Sequence, residues 1–196
     1  RKRGVAQDEG GARTWQNVMA NGVVAALMAM VEGVTPQEIL LFGFLGAVST
    51  STADTLATEI GLLYPHEPRL ITDLGREVPA GTSGGVSPLG EVAALAGAAL
   101  IGITAWVVGF GAGSPVRLIS ITVISGFVGC TADSLLGATV QAAYECPACG
   151  RLVESREHCG EQAYHVKGIR ALDNNFINFV STILGTGVAI SLTYLI

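Results

Sequence analysis

The chain has 196 residues, of which 49% are hydrophobic and only 14% are charged. Because soluble domains carry about 25% charged residues, this deficit argues against an ordinary soluble protein and favours residence in a membrane. The net charge of −5 is modest and by itself says little about nucleic-acid binding; we expect no nucleic-acid partner. The chain begins with Arg-Lys-Arg-Gly and shows neither an initiator Met nor a signal peptide. We therefore expect an N-terminal piece, with further helices, to precede it.

Five apolar runs are long enough to cross a bilayer, which takes about 20 mostly apolar residues. In chain order they cover residues 16–31, 38–63, 86–110, 118–144 and 173–196. The predicted fold is an all-α polytopic membrane helix bundle, a single transmembrane domain over 1–196 with a small cytosolic Cys/His loop over 145–170. A soluble all-α protein with buried core helices is the alternative, and it is disfavoured because the apolar runs fill most of the chain.

The basic residues orient these helices. In an alternating five-helix topology, ten of the eleven Lys and Arg residues lie at one end, and Arg117 lies at the other. Cytoplasmic loops of membrane proteins are enriched in Lys and Arg, so the basic end is predicted to face the cytoplasm.

Two matching pentapeptides place acids inside the second and fourth runs. Thr52-Ala-Asp-Thr-Leu contains Asp54, and Thr131-Ala-Asp-Ser-Leu contains Asp133. A charge at the bilayer centre costs roughly 2.5–3.5 kcal/mol on insertion scales, so such acids usually face a cavity or a partner. Both lie roughly 24 Å from the outer end of their helices, by the rise per residue. The matching pentapeptides are typical of a parallel repeat, although chance also produces five-residue matches. The shared depth of the two acids predicts a site that opens to the cytosol.

A glycine-rich segment follows the second run and leads directly into the third. It contains Gly81, Thr82, Ser83, Gly84 and Gly85. Backbone N–H groups in such a loop and the positive helix end can hold phosphate. No Lys follows the glycines as a Walker A loop requires, and a flexible turn is the alternative. Arg69 can supply a planar guanidinium for phosphate, or it can anchor the interface.

Amide side chains cluster where two helices begin at the predicted cytoplasmic face. Arg13, Asn17 and Asn21 share one face of the first helix at i, i+4 and i+8. The fifth run begins with a second amide group, which comprises Asn174, Asn175 and Asn178. Amides at such positions also cap or bridge helices. Together with Asp54 and Asp133 they predict a polar pocket suited to Mg²⁺, because Mg²⁺ prefers oxygen ligands, waters and substrate phosphates.

The last loop carries a Cys/His pattern with zinc-ligand spacing. Its candidate ligands are Cys146, Cys149, His158 and Cys159. A C-x₂-C pair followed by His and Cys predicts a structural Cys₃His zinc site, because all four ligands come from the protein. Adjacent ligands must turn towards one metal, so His165 is the alternative fourth ligand and free thiols are the alternative state. Cys130 lies in the membrane and is predicted to be a small packing residue.

Four motifs in order resemble one known family. Ala-Asp-Thr-Leu-Ala-Thr-Glu-Ile-Gly, Pro-Ala-Gly-Thr-Ser-Gly-Gly-Val, Asp-Ser-Leu-Leu-Gly-Ala and Leu-Asp-Asn-Asn-Phe-Ile-Asn resemble motifs of the transmembrane protein 19 family. That family includes the plant phytyl-phosphate kinase of the vitamin E pathway. The resemblance implies transfer of a phosphoryl group from a nucleoside triphosphate, with CTP as the candidate donor, to an isoprenyl monophosphate at the membrane.

On this hypothesis the catalytic residues are Asp54, Glu59, Asp133 and Arg69. The three acids hold Mg²⁺, while Arg69 and the glycine segment grip phosphates, since phosphoryl transfer relies on positioning and charge neutralisation. An ion- or proton-coupled transporter is the alternative use of intramembrane acids, and a non-catalytic scaffold is a third. A transporter needs polar residues that continue to the outer side, where only Glu32, Glu38 and Arg117 lie at the rim.

Overall fold

The computed structural model describes residues 14–110 and 114–196. Within them, five helices are long and apolar enough to cross a membrane. They are α1 (Trp15–Val34), α2 (Glu38–Gly61), α3 (Pro88–Val107), α4 (Pro115–Thr139) and α5 (Asn174–Leu192). The predicted membrane helix bundle is confirmed. The fourth helix ends at Thr139, five residues earlier than predicted, because the backbone beyond it pairs with residues near Ile169.

Both long loops contain short antiparallel strands, which the sequence analysis did not predict. The first loop folds into β1 (Arg69–Leu70), β2 (Asp73–Glu77) and β3 (Gly85–Val86), in the order β2-β1-β3. The second forms β4 (Ala143–Glu145), β5 (Leu152–Val153), β6 (Glu157–His158), β7 (Glu161–Gln162) and β8 (Tyr164–Lys167). Here the order is β5-β4-β8, with β6 paired to β7. Chain connectivity places all these strands at one end of the bundle, the sheet-bearing end.

Helix α2 is central and packs against all four other helices. Glycines permit its close approach to α4 and α5. A Cβ on Gly129 or on Gly185 would collide with the Thr50 side chain, which is itself buried. Lipid supplies no hydrophobic drive between helices, so small residues that let backbones approach closely stabilise such bundles.

The half of the bundle away from the strands has an apolar core. Its buried side chains are Phe42, Leu45, Ala105, Leu118, Ile121 and Ala189. At the rim, Arg117 Nη1 lies 2.6 Å from Glu38 Oε1, and its Nη2 donates to the Thr193 carbonyl at 3.2 Å. The guanidinium also lies 4.9 Å from the centre of the Phe42 ring. These contacts join α2, α4 and the residues after α5, so this end of the bundle is closed by packing.

A layer of buried hydroxyls lies between the apolar core and the sheet-bearing half. It includes Ser49, Thr50, Thr122, Ser125, Thr182 and Thr186. Most of these hydroxyls donate to carbonyls one turn earlier in their own helix, as Ser125 does to Ile121 at 2.7 Å. Such bonds satisfy buried polar groups locally.

We predict that Gly185→Ala destabilises the bundle whereas Gly187→Ala does not. The first substitution drives a methyl group into Thr50, while the second points into open space in the same helix. Overpacking costs about 1–3 kcal/mol, and removing a helical glycine contributes up to about 1 kcal/mol of stability. Thermal unfolding in detergent micelles measures both variants. An equal melting temperature for the two would contradict the close packing of α2 and α5.

Candidate functional site

Two acids from different helices lie beside each other in the sheet-bearing half of the membrane region. Asp54 of α2 is an electrostatic neighbour of Asp133 of α4, and the Ser181 hydroxyl of α5 faces the Asp133 carboxyl. Asp133 Oδ2 is fully buried and has no hydrogen-bond partner among the described residues. A buried carboxylate oxygen without a donor is costly in a protein interior, so this position is suited to binding a cation.

The packing of the helices explains why these side chains meet. Thr50 contacts Gly129 on α4 and Gly185 on α5. Asp54 and Asp133 each follow their contact residue by four positions, and α2 and α4 run in the same direction. Because four residues make about one helical turn, one close contact sets both acids at one level. Helix α5 runs the other way, so Ser181, four residues before Gly185, lies at that level too.

A third acid, Glu91, belongs to the same region and was missing from the predicted site. It is half-buried in the first turn of α3. Cys130 is buried and has Asp54, Glu91 and Asp133 as electrostatic neighbours, in agreement with its predicted packing role. The signal was present in the sequence, since Glu91 is the one acid in an otherwise apolar helix.

Glu59 lies elsewhere on α2. It is exposed, and five residues beyond Asp54 correspond to about 140° around the helix. It therefore shares a face with Thr52 and Thr55 rather than with Asp54. The structure brings together two of the three predicted metal-binding acids, and the third lies on the α2 face that carries Thr52 and Thr55, which line a groove beside α1.

This groove lies between α1 and α2 and has a volume of about 400 Å³. Its polar lining residues, among them Asn17, Asn21, Thr52 and Thr55, lie towards the sheet-bearing end together with the apolar Val18 and Leu56. Its deeper walls are apolar and include Ala25 and Val48. A mainly apolar groove with amides and hydroxyls at one end is suited to an amphiphile that has a polar head and a hydrocarbon tail.

The predicted amides link α1 to α2 and α5. Asn17 is buried and its Nδ2 lies 3.5 Å from Asn175 Oδ1. Asn21 Nδ2 donates to the Asn17 carbonyl at 3.0 Å, and Ser51 donates to the Asn21 carbonyl at 2.8 Å. Asn178 is buried one turn before the hydroxyl layer, and Asn174 is half-buried in the first turn of α5. Arg13 lies outside the described residues.

The glycine segment packs on the Asp133 helix. Gly81 and Gly84 have φ values of 86° and 79°, a region that side chains disfavour. A Cβ on Gly84 would collide with Ala138 in the last turn of α4. Ser87 then caps α3, because its hydroxyl accepts from Gly90 N at 3.2 Å. The segment therefore ends at a helix N-terminus and touches the helix that carries Asp133.

Arg69 braces its own hairpin. Its Nη1 donates to the Leu74 carbonyl at 2.7 Å, and its Nη2 lies 3.7 Å from Glu77 Oε1. The side chain is more than half exposed, and β1 pairs with β3 next to the glycine segment. A phosphate contact by Arg69 would therefore use the N–H groups that the Leu74 carbonyl does not engage.

The four predicted zinc ligands form a compact cluster. The ligand atoms of Cys146, Cys149, His158 and Cys159 all lie within 4.8 Å of one another. Tetrahedral Zn²⁺ with bonds near 2.3 Å places sulfurs about 3.8 Å apart, so the four residues can hold a metal ion. Cys159 has a φ of 55°, and this turn lets two adjacent side chains face one point.

The electrostatics of the cluster also suit a metal. A hydrogen bond with the His158 side chain lowers the pKa of the Cys146 thiol to about 7. The thiolate, which is the metal-binding form, is therefore abundant at neutral pH. His165, the alternative ligand, instead packs edge-on against Tyr144 with ring centres 5.5 Å apart.

Comparison with known proteins places the chain in a family. A family model described as integral membrane protein DUF92 matches residues 1–186. The chain belongs to the DUF92 family. This membership confirms the family resemblance found in the sequence.

Curated DUF92 relatives extend the comparison. Protein PGR of Arabidopsis thaliana is 31% identical, over 90% of this chain and 67% of its own length. Uncharacterized membrane protein MJ0933 of Methanocaldococcus jannaschii is 30% identical over 88% of this chain and 59% of its own length. Uncharacterized membrane protein sll0875 of Synechocystis is 29% identical over 96% of this chain and 63% of its own length. The chain thus spans about three fifths to two thirds of these relatives. No solved structure matches it.

Proposed function

We propose that this DUF92 protein is a membrane-embedded phosphotransferase that moves a phosphoryl group from a nucleoside triphosphate, with CTP as the first candidate, to an isoprenyl monophosphate. The observation that carries the proposal is the pairing of Asp54 with Asp133. The helix that bears Asp133, α4, also contacts the glycine segment. Acids that hold a cation and backbone N–H groups that face phosphate are the recurring parts of phosphoryl-transfer sites.

The acid pair fits a divalent cation on the chemistry of its donors. Two neighbouring carboxylates repel each other unless a proton or a cation lies between them, and one buried oxygen has no donor. Asp54 and Asp133 would hold Mg²⁺, and Glu91 and Glu59 are the further acids within the same half of the bundle. Bound there, Mg²⁺ would neutralise charge on the transferring phosphate.

The protein's own groups position the two substrates. Backbone N–H groups of the glycine segment bind phosphates of the nucleotide, and Arg69 lies on the neighbouring strand. An oxygen of the acceptor phosphate forms a bond to the γ-phosphorus, and the bond from that phosphorus to the β–γ bridging oxygen breaks. The products are a prenyl diphosphate and a nucleoside diphosphate. The acceptor phosphate is already ionised, so no side chain needs to act as a base.

The lipid acceptor is assigned to the groove between α1 and α2. Its phosphate lies among Asn17, Asn21 and Thr55, whose amides and hydroxyls donate hydrogen bonds. Its hydrocarbon tail runs towards Ala25 and Val48. Membrane lipid surrounds the exposed outer face of α1.

The site is proposed to face the cytoplasm, where nucleotides are abundant. The basic residues of the sheet-bearing loops are Arg69, Arg76, Arg151, Arg156, Lys167 and Arg170. The other end of the bundle carries Arg117, and this unequal distribution of Lys and Arg supports a cytoplasmic position for the sheet-bearing loops. The packed apolar core and the Arg117 contacts at the other end favour chemistry at one membrane surface over a transport pathway through the bundle.

The Cys/His cluster is proposed to bind one structural Zn²⁺. Four protein ligands complete a tetrahedral shell and leave no open position for substrate. The metal would organise a loop whose strands are only two to four residues long.

We predict that purified protein with Mg²⁺ converts phytyl or geranylgeranyl phosphate and labelled CTP or ATP into the diphosphate. Asp54→Asn and Asp133→Asn should lower kcat by about 100-fold or more, the scale seen when one transition-state charge contact is removed. Glu32→Gln, on α1 near the opposite end, is the matched control and should keep full activity. If no diphosphate forms and liposomes show ion flux that depends on Asp54, the protein is a transporter and the kinase hypothesis is wrong.

Filling the groove should weaken binding of the lipid acceptor. Gly22 lines the groove and Gly33 does not, yet a Cβ on either residue points into open space. Gly22→Leu should therefore raise KM for geranylgeranyl phosphate by about tenfold, the scale of a few misplaced methylenes. Gly33→Leu, outside the groove, should leave this KM unchanged. Equal effects of Gly22→Leu and Gly33→Leu would contradict the groove assignment.

Metal analysis tests the zinc site. We predict about one zinc per chain in the wild type and a substantial loss in Cys149→Ser, since the thiolate is a ligand. Cys130→Ser should retain the metal, because Cys130 lies between helices outside the cluster. Acidification should weaken zinc binding, because protons compete with the metal for the thiolates. Unchanged zinc in Cys149→Ser would rule out this ligand set.

A further inference from the structure

A three-way hydrogen-bonded junction connects the two loops of the sheet-bearing end. Ser83 of the glycine segment donates to Glu154 Oε1 at 2.7 Å. Gln141 Nε2, just after α4, lies 2.8 Å from the same oxygen and 3.2 Å from Ser83 Oγ. One carboxylate oxygen of the Cys/His loop therefore joins the glycine segment to the end of the Asp133 helix.

Gln141 is held in a fixed position by burial and by backbone contacts. It is only 2% exposed, and it forms a bridge with Ile169, whose N–H donates to the Val140 carbonyl at 2.9 Å. Gly168 has a φ of 75° and lies directly against the Gln141 backbone, where any Cβ would collide. These contacts fix the Gln141 backbone at the end of α4, and its buried side chain extends from there to the junction.

Glu154 takes its position from the Cys/His loop. It directly follows β5, whose residues pair with β4, and it lies between the Cys146/Cys149 pair and the His158/Cys159 pair in sequence. The β4–β5 pairing therefore fixes the backbone next to Glu154, and the cluster residues lie on both sides of it in the chain. Glu154 is also an electrostatic neighbour of Asp133, so the junction lies close to the acid pair.

We propose that Glu154 is a positioning residue that holds the glycine segment against α4 through Ser83, and that the metal-organised Cys/His loop thereby sets the conformation of the phosphate-binding segment. The importance of that segment for catalysis rests on the proposed function. Ser83 donates to Glu154 and is within reach of the Gln141 amide, so its hydroxyl serves as a tether. The Gly85 N–H already donates to the Thr82 carbonyl at 2.8 Å, so phosphate contacts are left to the other backbone N–H groups of the segment.

The test compares Glu154→Ala with Glu154→Gln in the full chain. Gln keeps a carbonyl oxygen that accepts from Ser83 and Gln141, whereas Ala removes the acceptor that these two donors share. Amide hydrogen exchange across residues 79–86 should rise in Glu154→Ala and stay near wild type in Glu154→Gln. Glu157→Ala, an exposed acid of the same loop, is the matched control. Exchange in Glu154→Ala equal to wild type, or Glu154→Gln as fast as Glu154→Ala, would overturn the tether.

Kinetics and chelation supply independent measurements. Glu154→Ala should raise KM for the nucleotide about tenfold with kcat within about threefold, because the acid pair itself is unchanged. Removing zinc with a chelator should speed exchange at 79–86 in the wild type and add little in Glu154→Ala, since both act through one contact. No effect of chelation on the wild type would overturn the metal dependence. If the wild type turns over no nucleotide, the proposed function fails, while hydrogen exchange still tests the tether.

Discussion

The close approach of three helices at Thr50 governs the structure. Its side chain occupies space that Gly129 and Gly185 leave open, and a bundle in lipid depends on such contacts because burial of apolar surface supplies no drive between helices. Since α2 and α4 run in parallel, the same register carries Asp54 and Asp133 to one level, one turn further on. A packing contact of small residues thus places two charged groups beside each other.

The two halves of the bundle along the membrane normal differ in polarity. Towards one end, large apolar side chains and the Arg117 contacts fill the space between the helices. Towards the other end, acids, amides and an open groove lie beneath the two folded loops. An arrangement with polar groups confined to one half is suited to chemistry on an amphiphile whose reactive head lies at the membrane surface.

The loops at the polar end act together. The glycine segment contacts Ala138, and the Cys/His loop reaches the same region through Glu154. Short strands of two to five residues have little stability by themselves, so the Cys/His cluster and the buried Gln141 side chain are reasonable sources of order. Under the proposals above, this arrangement would connect a structural metal to a phosphate-binding segment without giving the metal a part in the reaction.

The sequence by itself determined the five spans, because long apolar runs have few other folds available. It also determined the matched depth of Asp54 and Asp133 and the ligand set of the Cys/His cluster, since each depends on local spacing. Only the tertiary structure decided which acids meet. The rotation of α2 turns Glu59 away and the packing of α3 brings Glu91 in, and neither is encoded in spacing along one helix. The bracing of Arg69 and the tether from Ser83 to Glu154 likewise depend on contacts between residues distant in the chain, which a single sequence does not reveal.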